Sequence, residues 1–134
     1  EIKNGIDRTH LMKLFLSAIC LLLVSCGATD LSGTYVCNEV FFSSQTMNPT
    51  EISENQDAAQ SDLIGSSITV VQYDDSVWIG FSETDGNHFK QISNNEYIFH
   101  QDNGDKVIAS FSKEELTLKE TDSQYTIKIV CNKQ

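Results

Sequence analysis

From residue 33 onward, apolar and polar residues alternate in short runs that are separated by turn-forming residues. Alternation with a period of two places successive side chains on opposite faces of a β-strand. The last run is the clearest, since Tyr125, Ile127, Ile129 and Cys131 share one face. The pattern predicts eight strands, at residues 33–40, 67–73, 77–82, 88–92, 97–100, 106–111, 116–119 and 124–130.

Most of the predicted strands are joined by short turns. The Asp-Gly pair within Thr84-Asp85-Gly86-Asn87 is expected to supply the positive φ of a hairpin turn, and Asp102-Asn103-Gly104-Asp105 is expected to form another. Short, evenly spaced strands of this kind favour an all-β antiparallel meander, and eight such strands close into a small barrel without free edges. A sandwich of two sheets is the alternative.

One segment interrupts the strand pattern. Residues 43–61 are rich in Ser, Gln, Asn, Thr and Glu and contain the only proline, Pro49. Such a composition cannot bury one face, and it predicts a long polar loop after the first strand, in which residues 51–60 can form a short helix.

The start of the chain has a different character. Met12-Lys13 precedes an apolar run of about eleven residues that ends at Ser25-Cys26, which is the layout of a secretory signal peptide. The run is too short to span a membrane, because a span needs roughly 20 apolar residues. Leu23-Val24-Ser25-Cys26 resembles the lipobox of bacterial lipoprotein precursors, which implies cleavage before Cys26 and acylation of that cysteine. An ordinary signal peptide with an incidental cysteine is the alternative.

These features predict the organisation of the chain. Residues 1–11 are expected to be upstream residues that are not native, residues 12–25 a lipoprotein signal peptide, residues 26–30 a tether and residues 31–134 the β-barrel domain. In lipoproteins of Gram-negative bacteria an Asp after the acylated cysteine commonly retains the protein at the inner membrane. Gly27 occupies that position here, so the resemblance implies an exported protein that is anchored by lipid in the outer membrane.

Two cysteines remain for the folded domain if Cys20 leaves with the signal peptide and Cys26 carries lipid. An exported domain is expected to pair them, because the compartment outside the inner membrane is oxidising. Closure of a barrel places the first strand beside the last, and both cysteines point inward in the predicted strands. The sequence therefore predicts a Cys37–Cys131 disulfide.

Charge limits the classes of partner. From Cys26 onward the chain has 17 Asp and Glu, 6 Lys and no Arg. An acidic surface without arginine repels polyanions, so nucleic acid is excluded as a partner. The charge suits either encounter with a basic protein or simple solubility of a surface protein.

Candidate chemistry is sparse in the predicted domain. His88 and His100 belong to no cluster with the spacing of metal ligands, and no serine lies in a nucleophile elbow. The Asp102–Asp105 turn lacks the alternating donors of a calcium loop. We therefore expect no metal, no cofactor and no enzymatic activity.

Recognition by loops is the remaining expectation. Trp78 faces away from Val77 and Ile79, where it either anchors a ligand or is covered by the long polar loop. Because loops on a rigid scaffold usually carry recognition in small barrels, the expected binding surfaces are residues 43–61 and the segment Thr84, Asp85, Gly86, Asn87 and His88.

Two resemblances refine this expectation. Leu31-Ser32-Gly33-Thr34-Tyr35 resembles the opening Gly-x-Trp strand of lipocalin and calycin barrels, with Tyr in place of Trp. That resemblance implies an eight-stranded meander that holds a small apolar ligand in its cup. The bulky inward positions can instead fill the barrel; they are Tyr35, Phe81, Phe89, Tyr97, Phe99, Phe111 and Tyr125.

The second resemblance is to the membrane-bound lysozyme inhibitors, which are small lipoproteins with an eight-stranded barrel. Tyr35-Val36-Cys37 is similar to the Tyr-x-Cys of their first strand, and Gly86-Asn87-His88-Phe89 is similar to the Gly-x-x-aromatic loop of their inhibitory site. It implies inhibition of a basic lysozyme. Three function classes therefore stay open, namely a small-molecule binding barrel, a protein inhibitor and a structural lipoprotein of the envelope.

Overall fold

The structure is a computed structural model that describes residues 30–82 and 84–134. The predicted signal peptide and Cys26 lie outside the described residues. Eight strands and one helix follow one another along the chain: β1 Gly33–Ser43, α1 Pro49–Leu63, β2 Ser67–Gln72, β3 Ser76–Gly80, β4 Gly86–Ser93, β5 Glu96–His100, β6 Lys106–Ser112, β7 Glu115–Thr121 and β8 Thr126–Lys133.

The strands form a closed antiparallel barrel in which each strand pairs with its neighbours in sequence. The barrel closes between β1 and β8, where Cys37 lies opposite Cys131 and Phe42 lies opposite Ile127. A β-bulge between Cys37 and Glu39 shifts the register of β1 by one residue, and the alternation of inward and outward side chains resumes after it. The predicted all-β meander is confirmed, and the sandwich is excluded because no break separates two sheets.

The segment after β1 forms a helix where a short one was predicted at residues 51–60, but α1 is longer, with 15 residues, and takes up most of the predicted loop. Asn48 caps the helix by accepting from the Glu51 N–H at 2.9 Å, and the Glu51 carboxylate in turn accepts from the Asn48 N–H. Pro49 follows at a position where its missing N–H costs nothing. The sequence Asn-Pro-Thr-Glu is thus a helix start that the polar composition concealed.

Helix α1 covers a gap in the barrel wall. The pairing of β1 with β2 extends only from Gly33 to Val36, and one further pair of backbone bonds links Cys37 to residues 65 and 66. Beyond that point the side-chain amide of Gln56 replaces a neighbouring strand. Its oxygen accepts from the Phe42 N–H and its nitrogen donates to the Val40 carbonyl, each at 2.6 Å. Backbone groups that would otherwise lack a partner are therefore satisfied.

The core is densest at the end of the barrel where β1 begins, which we call the packed end. Tyr35 and Tyr97 each meet the ring of Phe111 edge to face, with centroids 6.1 and 5.7 Å apart. Leu31 closes this end: its carbonyl accepts from the Tyr35 hydroxyl at 2.8 Å, and its N–H donates to Gln72 Oε1 at 2.9 Å. Aromatic packing of this kind fills the interior and leaves no room for a ligand.

The predicted disulfide is confirmed. Cys37 and Cys131 are directly opposite each other on β1 and β8, with their Cα atoms 3.8 Å apart, and both side chains are buried beside Leu116. The bond joins residues that are 94 positions apart. It therefore ties the first strand to the last at the seam where the barrel closes.

Candidate functional site

The opposite end of the barrel encloses a cavity of about 210 Å³, which we call the cup. Six apolar side chains form its wall: Ile79, Phe89, Phe99, Val107, Leu118 and Ile129. Four polar residues also line it: Asp85, Asn87, Gln101 and Glu120. An apolar cavity with a few polar groups at its edge is the usual form of a small-molecule site.

Strand register explains why these residues meet. On β7 the inward positions are Leu116, Leu118 and Glu120, which lie opposite Cys131, Ile129 and Ile127 of β8. On β6 and β5, Val107 pairs with Phe99. Along β7 the inward side chain therefore changes from Leu116 at the packed end to the carboxylate of Glu120 at the cup, and along β6 it changes from Phe111 to Val107.

Glu120 is half-buried on the inner side of the barrel. Its Oε1 accepts from Gln101 Nε2 at 3.4 Å, a long hydrogen bond between two residues of the cup wall. In the described part of the chain no Lys side chain forms an ion pair with it, since none lines the cup. The carboxylate therefore retains accepting capacity toward the interior.

Phe81 and Tyr125 were both expected to fill the barrel, and neither is buried in the core. The side chain of Phe81 is 51% exposed at the rim of the cup, beyond the last residue of β3. Tyr125 is half-buried and stacks on Phe42 with ring centroids 5.3 Å apart. Burial, together with the negative charges of Glu120 and Asp122, raises the pKa of the Tyr125 phenol. Phe81 therefore borders the cup without filling it, and Tyr125 is not among the residues that line the cup.

The predicted hairpin between β3 and β4 is present, but the positive φ expected of Asp85-Gly86 is not. Gly86 has no positive φ; it is the first residue of β4, paired with Gly80 of β3. Both glycines face the indole of Trp78, and a Cβ on either would approach an indole carbon to 2.6 Å or less. Glycine is required here because an aromatic ring lies directly on the backbone.

The structure divides the predicted loop site between two surfaces. Asp85, Gly86 and Asn87 line the cup, whereas His88 points outward and its ring lies 5.5 Å from that of Tyr73. Thr84 is exposed in the connection before β4. Trp78 is half-buried on the outer face, behind the glycines of the cup wall. Only part of the predicted segment therefore belongs to the cavity.

A second, more open groove of about 440 Å³ lies where residues 43–46 meet residues 121–126. Its lining is polar apart from the ring of Tyr125. The hydroxyls of Ser44 and Thr46 already donate to the Gln124 carbonyl, at 2.6 and 3.3 Å. With no apolar floor and with its polar groups engaged, this groove is the weaker candidate for a ligand.

Ten residues of the cup were absent from the predicted site, among them Gln101, Val107, Leu118 and Glu120. The signal for Glu120 is present in the chain, because a carboxylate continues the inward series Leu116, Leu118 on a strand with clean alternation. A charged residue at an inward position marks the place where the core ends. The strand had been predicted to end at Lys119, which hid this position.

Metal and membrane binding were examined across residues 30–82 and 84–134. Over these ranges no three His, Cys, Asp or Glu side chains group in a way that could hold a metal ion. The Asp102–Asp105 segment forms the predicted hairpin turn between β5 and β6, with Gly104 at φ +91°. The same part of the chain contains no helix that is long and apolar enough to cross a membrane.

Comparison with known proteins adds no family to this description. No protein-family model, no curated protein and no solved structure matches the chain. The function must therefore be argued from the barrel, its cup and the residues that line it.

Proposed function

We propose that this protein is a non-enzymatic binding lipoprotein that takes a small apolar ligand into the cup of its barrel. The observation that carries the proposal is the contrast between a filled end and an end with about 210 Å³ of space behind apolar walls. An apolar cavity of roughly 150 Å³ is enough to hold benzene. The cup therefore suits a ligand of about one ring.

Anchoring through lipid on Cys26 is part of the proposal. The Leu23-Val24-Ser25-Cys26 pattern supports it, and with Gly27 it favours the outer membrane of a Gram-negative bacterium. We expect the mature protein to begin at Cys26, to carry acyl chains by intact-mass measurement and to fractionate with membranes. A Cys26→Ala variant that still fractionates with membranes would contradict the anchor.

The inhibitor alternative has less support from the site. Its resemblance lay in Gly86-Asn87-His88-Phe89 as a loop, and these residues form the start of β4, with Phe89 turned into the core. A segment that is fixed in the sheet cannot protrude into the cleft of an enzyme. For this reason inhibition of a basic lysozyme is an outcome to be tested and not a second proposal.

The binding proposal is tested with benzyl alcohol, a neutral one-ring probe. We expect saturable binding by calorimetry, accompanied by a change in emission of Trp78, the only tryptophan, which lies against the glycines of the cup wall. Val107→Phe should abolish binding, because the added ring occupies the cup. Ile108→Phe is the matched control, since Ile108 is on the same strand and faces outward with Ile98 and Lys119.

Three results would contradict the proposal. Benzyl alcohol does not bind to the correctly folded, disulfide-bonded protein; or it binds equally well to Val107→Phe; or a hydrolytic activity appears that is lost on substitution of His88 or His100. The first would leave an envelope-structural role or a protein partner, and the last would overturn the non-enzyme claim.

A further inference from the structure

The arrangement of apolar and charged groups in the cup narrows the class of ligand that can bind there. Its wall is apolar along the inside of the barrel, and its charged groups are two carboxylates, Asp85 and Glu120. No Lys is among the lining residues, and the chain has no Arg after Cys26. A ligand that enters therefore meets negative charge and no compensating positive charge.

Glu120 is the better placed of the two carboxylates. It extends inward from β7 two residues beyond Leu118, so an apolar group against Leu118 would bring its polar end next to this carboxylate. Asp85 is exposed in the connection before β4. Gln101 donates to one oxygen of Glu120, and a carboxylate with two oxygens can accept further hydrogen bonds.

Acidic residues around the mouth of the cup add to its negative electrostatic potential. Asp105 lies in the β5–β6 turn and Asp122 in the β7–β8 turn, both at this end of the barrel. Lys106 and Lys128, on the strands that follow these two turns, are exposed, and the ammonium of Lys128 lies over the ring of Phe41, 5.7 Å from its centroid. Within residues 30–82 and 84–134, the lysines therefore lie outside the cup lining.

We propose that the ligand of the cup is a small apolar amine, with its hydrocarbon part against Val107 and Leu118 and its ammonium group at Glu120. This inference rests on the proposed binding function and specifies the ligand class. A protonated amine supplies the charge and the donors that the carboxylate accepts, and charge-assisted hydrogen bonds of this kind are stronger than neutral ones. The cavity volume limits the amine to about one ring.

The test uses three one-ring probes of similar size at pH 7 and low salt: benzylamine, benzyl alcohol and benzoate. Benzylamine should bind about tenfold more tightly than benzyl alcohol, which corresponds to about 1.4 kcal/mol, and benzoate should bind most weakly. Glu120→Gln should bring the affinities for benzylamine and benzyl alcohol close together.

Glu115→Gln is the matched control. Glu115 is exposed at the other end of the same strand, and its substitution changes the net charge by the same amount. It should leave the preference for benzylamine intact. The inference is overturned if benzylamine and benzyl alcohol bind equally to the unmodified protein, or if the two glutamate variants lose the preference to the same extent.

Failure of the inference and failure of the binding proposal are distinguishable. Equal binding of the amine and the alcohol removes the amine preference and leaves the cup as a site for apolar ligands. Absence of binding by all three probes contradicts both.

Discussion

The two ends of this barrel are built from the same strands and the same inward alternation, yet one end is filled and the other is not. At the packed end, Tyr35, Tyr97 and Phe111 meet ring against ring, and Leu31 closes the opening. At the cup, the corresponding inward positions are held by Val107, Leu118 and Glu120 among others. The difference shows that closure of a small barrel does not by itself decide whether it is hollow. How far the inward side chains reach across the barrel decides this, since Phe89 and Phe99 line the cup without filling it.

The largest expected effect concerns the bond that holds the packed end together. Replacement of both Cys37 and Cys131 by Ala should lower the free energy of unfolding by about 4 kcal/mol, because the bond closes a long loop in the unfolded chain. Urea denaturation under oxidising conditions measures the loss. Reduction of the unmodified protein should reproduce it, and reduction of the double variant should add nothing. A loss below ~1 kcal/mol would show that the seam is held mainly by packing.

Two leucines on one strand compare the ends directly. Leu116 is fully buried at the packed end, whereas Leu118, also nearly buried, lines the cup. Leu116→Ala should lower the free energy of unfolding by about 3 kcal/mol, because it leaves a cavity in a filled core. Leu118→Ala should lower it by about 2 kcal/mol or less, because it only enlarges an existing space. If denaturant melts show the same loss of unfolding free energy for both variants, the distinction between the packed end and the cup is contradicted. Only Leu118→Ala should change the affinity for benzyl alcohol.

These leucines also show how much of the fold could be predicted from the sequence alone. Alternation identified both as members of one strand and placed Cys131 and Tyr35 in the interior, where they are buried. Alternation carries no information about how far each inward chain reaches across the barrel, because that depends on which strands face one another. The cup depends on such distances. Its residues come from six strands and two connections, so no local pattern in the chain could have grouped them.

Helix α1 and Gly86 show two further limits of prediction from the sequence. Helix α1 is longer than the predicted residues 51–60, and its start is marked by the capping box of Asn48 and Glu51. Gly86 was interpreted through the turn preference of Asp-Gly. Its actual reason is a contact with Trp78 across the strand pair, and a contact of that kind is visible only once register is known.

Gly86 supplies a smaller test of the wall of the cup. Gly86→Ala should cost about 2 kcal/mol, because the new methyl overlaps the indole of Trp78 and part of the backbone. It should also change the emission of that tryptophan. Gly65→Ala is the comparison: it places a methyl in open space, at a positive φ that alanine tolerates poorly, so stability falls while the emission stays unchanged. Unchanged emission in Gly86→Ala would argue against the packing of the indole on the wall.

The smallest expected changes in stability come from substitutions in two hairpin turns, one at each end of the barrel. At the cup end Gly104 adopts φ +91°, and at the packed end Lys113 adopts φ +56°. Gly104→Ala should destabilise by about 1 kcal/mol, and Lys113→Gly should stabilise by up to about 1 kcal/mol, because a side chain is disfavoured at positive φ. Thermal melts should therefore shift in opposite directions. Shifts of the same sign would contradict the assignment of strain to Lys113.

The central claim is that apolar ligands enter one end of the barrel and not the other, and methyl NMR tests it most directly. During a titration with benzyl alcohol, the methyl signals of Ile79, Val107, Leu118 and Ile129 should shift with a common saturation curve. The signals of Ile68, Val77 and Leu116 at or near the packed end should stay in place. Shifts that are spread equally over both groups, or an absence of shifts at the cup, would contradict the account.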